Sequence, residues 1–408
     1  MDSFLTFNFF YSIQFWLWFV VILFLFRILS HYPYWRNVFL ILASLLMLLA
    51  LPRVTIFSLL FLLVLSIIVF ALGRSLNLKF KNQSKYRRIL LSASGICLVI
   101  VILMFLKYNV IQRFVYENYY KQRFEPSNYI FIIGISYLSF KMIHFIIEGY
   151  KQQLSNVNLI NYLNYIYFFP SFISGPINRY NHFSAQLSTS CPSKMIIDCR
   201  IGARRIFDGL CKKIVICTLR YPYACWGMEK SLSNLGWSRL ALGLYATGFY
   251  HYLDFSAYSD IAIGSAKIMG LVLPENFNNP FSKRNLQQLW ANWHISLTSW
   301  FTDYVYWPLS KKARVIPYFK KHPITLSNIV IVITFIAVGM WHGESANFII
   351  WGFYHGIGLA ILNIYHAQKR KTKNLHLRQY FASKYCQAIG IFVTFHYFII
   401  GLLFIALR

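Results

Sequence analysis

Acidic residues are almost missing from this chain: twelve Asp and Glu stand among 408 residues, and all charged types together make up 13%. An ordinary soluble domain carries about 25% charge, so that class is excluded. Disorder requires a shortage of apolar side chains, whereas 57% of these residues are apolar and 19% aromatic. Twenty glycines and twelve prolines are too few for collagen. The seven cysteines are odd in number and contain no C-x-x-C spacing, so neither a disulfide framework nor a zinc knuckle is indicated. The sequence also lacks an H-E-x-x-H or H-x-x-x-H pair to bind a metal and the G-x-S-x-G of a serine nucleophile. No bound cofactor or metal is expected. There is no internal repeat of fixed period, so the inverted repeats of many transporters find no support.

What is abundant is basic and apolar. Forty Lys and Arg leave a net charge of +28, which in a soluble protein points to nucleic acid. Here the bases cluster between apolar runs, the pattern of membrane topology; the partner is the lipid bilayer and no nucleic acid is expected. Apolar runs recur from Phe9–Leu25 to Ala388–Leu407, and about 20 apolar residues cross a bilayer, which gives about eleven spans, the shorter ones re-entrant or interfacial. The expected fold is an all-α polytopic membrane protein, one domain over residues 1–408. The first run reaches Arg27 without an A-x-A site and reads as a retained span rather than a cleaved signal.

Arg74, Lys79, Lys81, Lys85, Arg87 and Arg88 precede the fourth run with no acid among them, as a cytoplasmic loop does, which places the N-terminus outside. Two further basic clusters, Lys311 to Lys321 and Lys369 to Lys384, flank the apolar hairpin Thr325–Tyr365. Both its ends are then cytoplasmic, and its turn, with His342, points outward. Between Arg179 and Lys213, bases alternate with Ile197, Ile201, Ile206 and Leu210 at helical spacing. That pattern reads equally as an interfacial helix on anionic lipid and as a solvated face.

Ionisable groups inside apolar runs are costly and mark function by default. Four places carry them. Phe169-Pro170-Ser171, followed by Ser174-Gly175-Pro176-Ile177-Asn178-Arg179-Tyr180, breaks a helix and frees backbone groups. His251, Asp254 and Asp260 follow an apolar run, either as a polar subsite or as interhelical hydrogen bonds. Leu289 to Phe301 holds Trp290, Trp293, His294, Ser296 and Trp300 and reads as an amphipathic aromatic helix suited to an interface or tunnel wall. Gly339-Met340-Trp341-His342-Gly343-Glu344 sets an imidazole between small residues at the end of an apolar helix. An imidazole takes and returns a proton near neutral pH, so His342 is the leading general base. His144, His355 and His396 read as structural groups.

The stretches Trp290 to Tyr304 and Gly339 to Gly343, in this order, resemble paired motifs of the membrane-bound O-acyltransferase family. The resemblance extends through Phe255 to Asp260, Pro274 to Phe277 and Asn279 to Phe281 back to Gly134 to Tyr137, covering about residues 128–365. It implies a ring of tilted helices around a central tunnel, catalytic roles for His342 and His294, and a tunnel lined by Trp290, Trp293, Ser296, Trp341, Asp260 and Arg179. It also implies an acyl donor held as a thioester on an acyl carrier protein or coenzyme A, such as acetyl-CoA, and an extracytoplasmic polymer acceptor served by an accessory transferase. The place of work would be the bacterial cytoplasmic membrane. Ser174 to Tyr180, Tyr137 to Lys141 and the compact length are similar to the teichoic-acid D-alanyl branch, and Tyr304 to Leu309 to the alginate O-acetylation branch. The alternative from another class is a transporter or flippase for a lipid-linked or polymeric envelope substrate.

Overall fold

The computed structural model describes residues 12–51, 54–78, 84–119, 132–188, 195–219, 237–371 and 383–406. Lys79, Lys81, Lys373 and Arg378 of the basic loops fall outside these residues, as do Cys191 and Cys225. The described chain is helical, with one isolated bridge between Phe277 and Trp293. It divides into two units, Met1–Leu210 with Ala257–Pro274, and Cys211–Ser256 with Glu275–Arg408.

In chain order the first unit holds α1 (Ile13–Ile28), α2 (Pro33–Leu49), α3 (Ile56–Asn77), α4 (Lys85–Lys107), α5 (Asn109–Tyr119), α6 (Ile135–Lys151), α7 (Leu159–Tyr167), α8 (Phe169–Phe172) and α9 (Tyr180–Ser188). Helix starts follow local chemistry. Ser12 and Ser84 accept from the backbone three residues on, and Thr55 with Ser58 forms a reciprocal capping box. Helices α3 and α6 cross where a Cβ on Gly149 would lie 2.5 Å from the Gly73 carbonyl oxygen, so only glycine permits that approach. The predicted break near Pro170 is present between α7 and α8, and it is buried in protein. Lys141 on α6, 2% exposed, donates to the carbonyls of Tyr165 and Ile166 and to the Ser171 hydroxyl, at 3.1 to 3.3 Å. An ammonium thus takes the carbonyl groups that a helix end leaves free.

Helix α10 (Met195–Leu219) runs from the first unit into the second, and α11 (Trp237–Ile268) runs from the second into the first. The apolar runs Ser238–Leu253 and Ile261–Val272 fall largely on this one helix. Within the first unit Gly202 and Gly264 each leave no room for a Cβ against the other's carbonyl, at 2.6 Å, and the close contact is flanked by Asp198–Lys267 and Arg205–Asp260 ion pairs of 2.8 and 2.5 Å. Within the second unit Lys213 pairs with Asp254 and Lys212 donates to Ser256. The reading of α10 as a basic face on lipid or water is corrected for Arg205, Lys212 and Lys213: they turn toward acids and a hydroxyl on α11. Arg200 and Arg204 remain exposed.

The second unit continues with α12 (Leu286–Asn292), α13 (Ile295–Phe301), α14 (Trp307–Ala313), α15 (Pro317–Lys321), α16 (Pro323–His342), α17 (Ala346–Lys371) and α18 (Lys384–Ala406). Helices α16 and α17 form a tight hairpin: a Cβ on Gly352 would meet the Phe335 carbonyl oxygen at 2.3 Å, and one on Gly339 the Phe348 carbonyl oxygen at 2.1 Å. Among the described residues, six helices (α1, α3, α4, α16, α17 and α18) are long and apolar enough to cross a membrane. Their outer faces carry exposed Leu, Ile, Val and Phe, including Leu90 and Val101 on α4 and Ile361 on α17. Faces of that kind suit hydrocarbon rather than water.

Candidate functional site

The segment expected to be one aromatic helix is two. Trp293 is extended and His294 sits in the left-handed region, φ 45°, where it caps α13. Seven residues of helix on either side are thus joined by a corner, and periodicity alone did not reveal it. The corner is pinned by the segment before it: the Asn278 N–H donates to the Asn292 carbonyl, the Ile295 N–H to the Asn276 carbonyl, and the Ser296 hydroxyl to Asn276 Oδ1 at 2.6 Å. Asn276 and Ser296 are buried. A π-turn, Thr302–Tyr306, follows α13, an irregularity frequent at functional sites.

His294 is 5% exposed, packed edge-on against Phe255 with ring centroids 4.6 Å apart, and 6.5 Å from the Trp341 ring. Burial first, then neighbouring His342, holds its imidazole well below the usual histidine range, so it is neutral at pH 7. His342 closes α16 and is exposed, while the adjoining Trp341 is half-buried. The His342 ring lies 4.7 Å from Trp341, 5.2 Å from Trp351 and 6.2 Å from Phe348. Gly343 leaves no room for a Cβ against Phe348, so the chain after His342 runs directly over that ring.

Behind these groups Trp290 contacts Trp351 and His355, and Trp293 packs on Phe277, Phe281 and Phe398. The second unit therefore gathers His342, His294, Trp341, Trp290, Trp293 and Ser296 as a set. Trp351, Phe348, Phe255 and Asn276 complete it and were not singled out from sequence as site residues. Trp351 and His355 share one face of α17 at a four-residue spacing, the signal that was available for them. Asp260 and Arg179 belong to the first unit. Asp260 is held in the ion pair with Arg205; the Arg179 N–H donates to Asn178 Oδ1, and the next residue's N–H donates to His144 Nε2 at 3.0 Å. His251 and Asp254, one turn apart on α11, belong with the Lys213 ion pair in the second unit. Among the described residues no three His, Cys, Asp or Glu side chains are grouped as metal ligands.

This arrangement offers an exposed imidazole, a second buried neutral imidazole, and indole rings packed beside them. Such a set can move a proton to and from a hydroxyl and shelter a reactive acyl group.

The chain is similar over 291 residues, at 33% identity, to the teichoic acid D-alanyltransferase of Bacillus subtilis, covering 68% of this chain and 69% of that protein. It is 32% identical to a probable alginate O-acetylase of Pseudomonas syringae pv. tomato over 56% of this chain and 42% of that protein. It is 29% identical to the peptidoglycan O-acetyltransferase of Helicobacter pylori over 74% and 61% respectively. The chain thus spans less than two thirds of the latter two. Residues 52–404 match the family as a whole, a reach wider than that of the motif-bearing segment. With its apolar helices and this match, the chain is a multi-pass membrane protein that belongs to the membrane-bound O-acyltransferase family.

Proposed function

We propose that this protein transfers an activated acyl group, D-alanyl or acetyl, from a thioester to a hydroxyl of a bacterial cell-envelope polymer. The observation that carries this reading is the exposed His342 imidazole at the end of an apolar helix, set against buried Trp351 and within reach of neutral His294. The named activities of the relatives, D-alanyl transfer to teichoic acid and O-acetylation of alginate or peptidoglycan, support the acceptor class. The donor is a thioester on an acyl carrier protein or coenzyme A and approaches from the cytoplasmic side of the bacterial inner membrane. The N-terminus lies outside, and an accessory transferase completes delivery to the polymer.

His342 takes the proton of the acceptor hydroxyl as its oxygen adds to the thioester carbonyl carbon. The imidazolium then returns that proton to the departing thiolate, so one ester and one thiol are formed. His294, buried and uncharged, orients the acyl group by hydrogen bonding. The aromatic walls limit water and hence thioester hydrolysis.

Mass spectrometry of envelope polymers tests the reading in cells with the protein intact, deleted, or carrying His342→Ala. Loss of one ester type in both altered strains identifies the acyl group and supports catalysis at His342. Loss on deletion alone favours transport or scaffolding. An unchanged ester pattern in the deletion strain overturns the proposal.

A further inference from the structure

Three rings on the inner side of His342 have nitrogen atoms with nothing to bond. Trp290, Trp351 and His355 are 7%, 5% and 0% exposed. Among the described residues Nε1 of each tryptophan and both ring nitrogens of His355 lack a hydrogen-bond partner. The rings contact one another in every pairing, with centroids 5.7, 5.0 and 4.9 Å apart and planes 70 to 82° from parallel. Edge-to-face contact places some N–H character against a neighbouring π cloud, a second-order interaction, and leaves the imidazole lone pair unserved. On the far side, Gly401 brings backbone against His355 Nε2, where a Cβ would lie at 2.6 Å, and offers it no side chain. A cluster of buried unpartnered nitrogens is rare in a folded protein and calls for a ligand from outside the chain.

The donor set fixes what that ligand offers. Indole N–H groups only donate, and a neutral imidazole adds one further N–H. The two indole donors match the two lone pairs of one oxygen, and the imidazole N–H and lone pair stand outside that match. Accessibility falls from the exposed His342 through Trp351 to the sealed His355, so a hydroxyl arriving at His342 meets an acyl group lodged on the buried side.

We propose that the indole N–H groups of Trp290 and Trp351, spaced by His355, bind the carbonyl oxygen of the acyl thioester and hold the negative charge that develops on it. This rests on the acyl-transfer reading above. As the hydroxyl oxygen adds to the carbonyl carbon and its proton passes to His342, the carbonyl π pair moves onto the oxygen between the two indoles. When the pair returns, the carbon–sulfur bond breaks and the thiolate takes the proton from His342. Donors fixed in a dry site stabilise such an oxyanion without reorganisation, and each is typically worth about 10²- to 10³-fold in rate. Trp290 and Trp351 are then catalytic residues, and His355 is a positioning residue that sets the angle between them.

The test uses the full chain in lipid nanodiscs with acetyl- and D-alanyl-pantetheine thioesters carrying a ¹³C-labelled carbonyl. Difference infrared spectra should show the bound carbonyl at lower wavenumber than the free thioester. Replacing Trp290 or Trp351 by benzothienylalanine, which keeps the ring shape and removes only the N–H, should return the band to its free position. Each replacement should also lower the maximal transfer rate in cells about 10²-fold with thioester binding retained; Trp290→Phe and Trp351→Phe give the same comparison by simple mutagenesis. A bound carbonyl at its free position, with His342→Ala still abolishing transfer, overturns this assignment alone. Failure of both thioesters to bind overturns the acyl-transfer reading as well.

Discussion

The His342 ring meets the Trp351 ring edge to face, with centroids 5.2 Å apart and planes at 83°. One ring is exposed and the other buried, and they sit on consecutive helices of a single hairpin. Their contact therefore depends on how closely α16 and α17 approach, which the glycines at 339 and 352 decide.

Gly352→Val places atoms against the Phe335 carbonyl oxygen, where even a Cβ would lie at 2.3 Å. Overpacking of this kind costs about 1–3 kcal/mol. The expected result is a lower unfolding temperature in detergent together with reduced transfer, because the hairpin opens and His342 leaves Trp351. Normal stability with normal transfer would show that the approach is dispensable.

At His294 the backbone and the side chain make separable demands. The left-handed conformation, φ 45°, is tolerated by asparagine and resisted by β-branched residues. His294→Val should therefore lose about 1–2 kcal/mol of stability that His294→Asn retains, while both lose transfer. Thermal unfolding beside an ester assay separates the two effects; equal stability of the variants would count against the corner.

Acid should also weaken the fold through His294. Its folded-state value is held well below 6.5 by burial and His342, so the unfolded chain binds the proton more readily. Stability contributed by the neutral ring is present above pH 6.5 and declines as pH falls below that value. The decline should be shallower in His294→Gln, measured as unfolding midpoints from pH 7.5 to about 5. Parallel curves would remove His294 as the cause.

In the first unit, Arg205→Ala takes the guanidinium away from the buried Asp260 carboxylate, 2.5 Å distant. Removing one member of a fully buried pair costs about 3 kcal/mol, and less here because the Arg205 side chain is a third exposed; an apolar replacement of both is far milder. The double variant Arg205→Met with Asp260→Leu should recover stability lost in the single one. If transfer returns with it, Asp260 acts through structure rather than chemistry; a stable but inactive double variant would give it a direct role.

The His294 and His342 motifs were legible because polar groups crowd into short stretches of an otherwise apolar chain, where each is costly. The corner between Trp293 and His294 was not, since alternation of aromatic and polar residues from Leu289 to Phe301 satisfies a helical period straight through it. Trp351 and His355 were hidden for the opposite reason: an imidazole on an apolar helix reads as core, and only its neighbours reveal unsatisfied nitrogens. The continuity of α11 was obscured because the polar stretch around Asp254 and Asp260 divides its hydropathy into two apolar runs. Hydropathy placed the long helix Pro323–His342 to within two residues, as the run Thr325–Trp341, but it started α10 at Ile206 rather than Met195, divided α11 into two runs and ran through the break between α7 and α8.

Lys141 has a consequence for how the protein is made. Its three acceptors come from the Tyr165–Ser171 break, and no carboxylate is among them. Until that break exists the Lys141 amine has none of these acceptors, and an ammonium left so in hydrocarbon would cost about 3 kcal/mol at a helix centre. Synthesis delivers the break some two dozen residues later, as the separations of 24 and 25 residues to its carbonyl partners record. The Lys141 amine therefore gains its partners only after the break has been synthesised, and α6 is expected to reach its folded place together with α7.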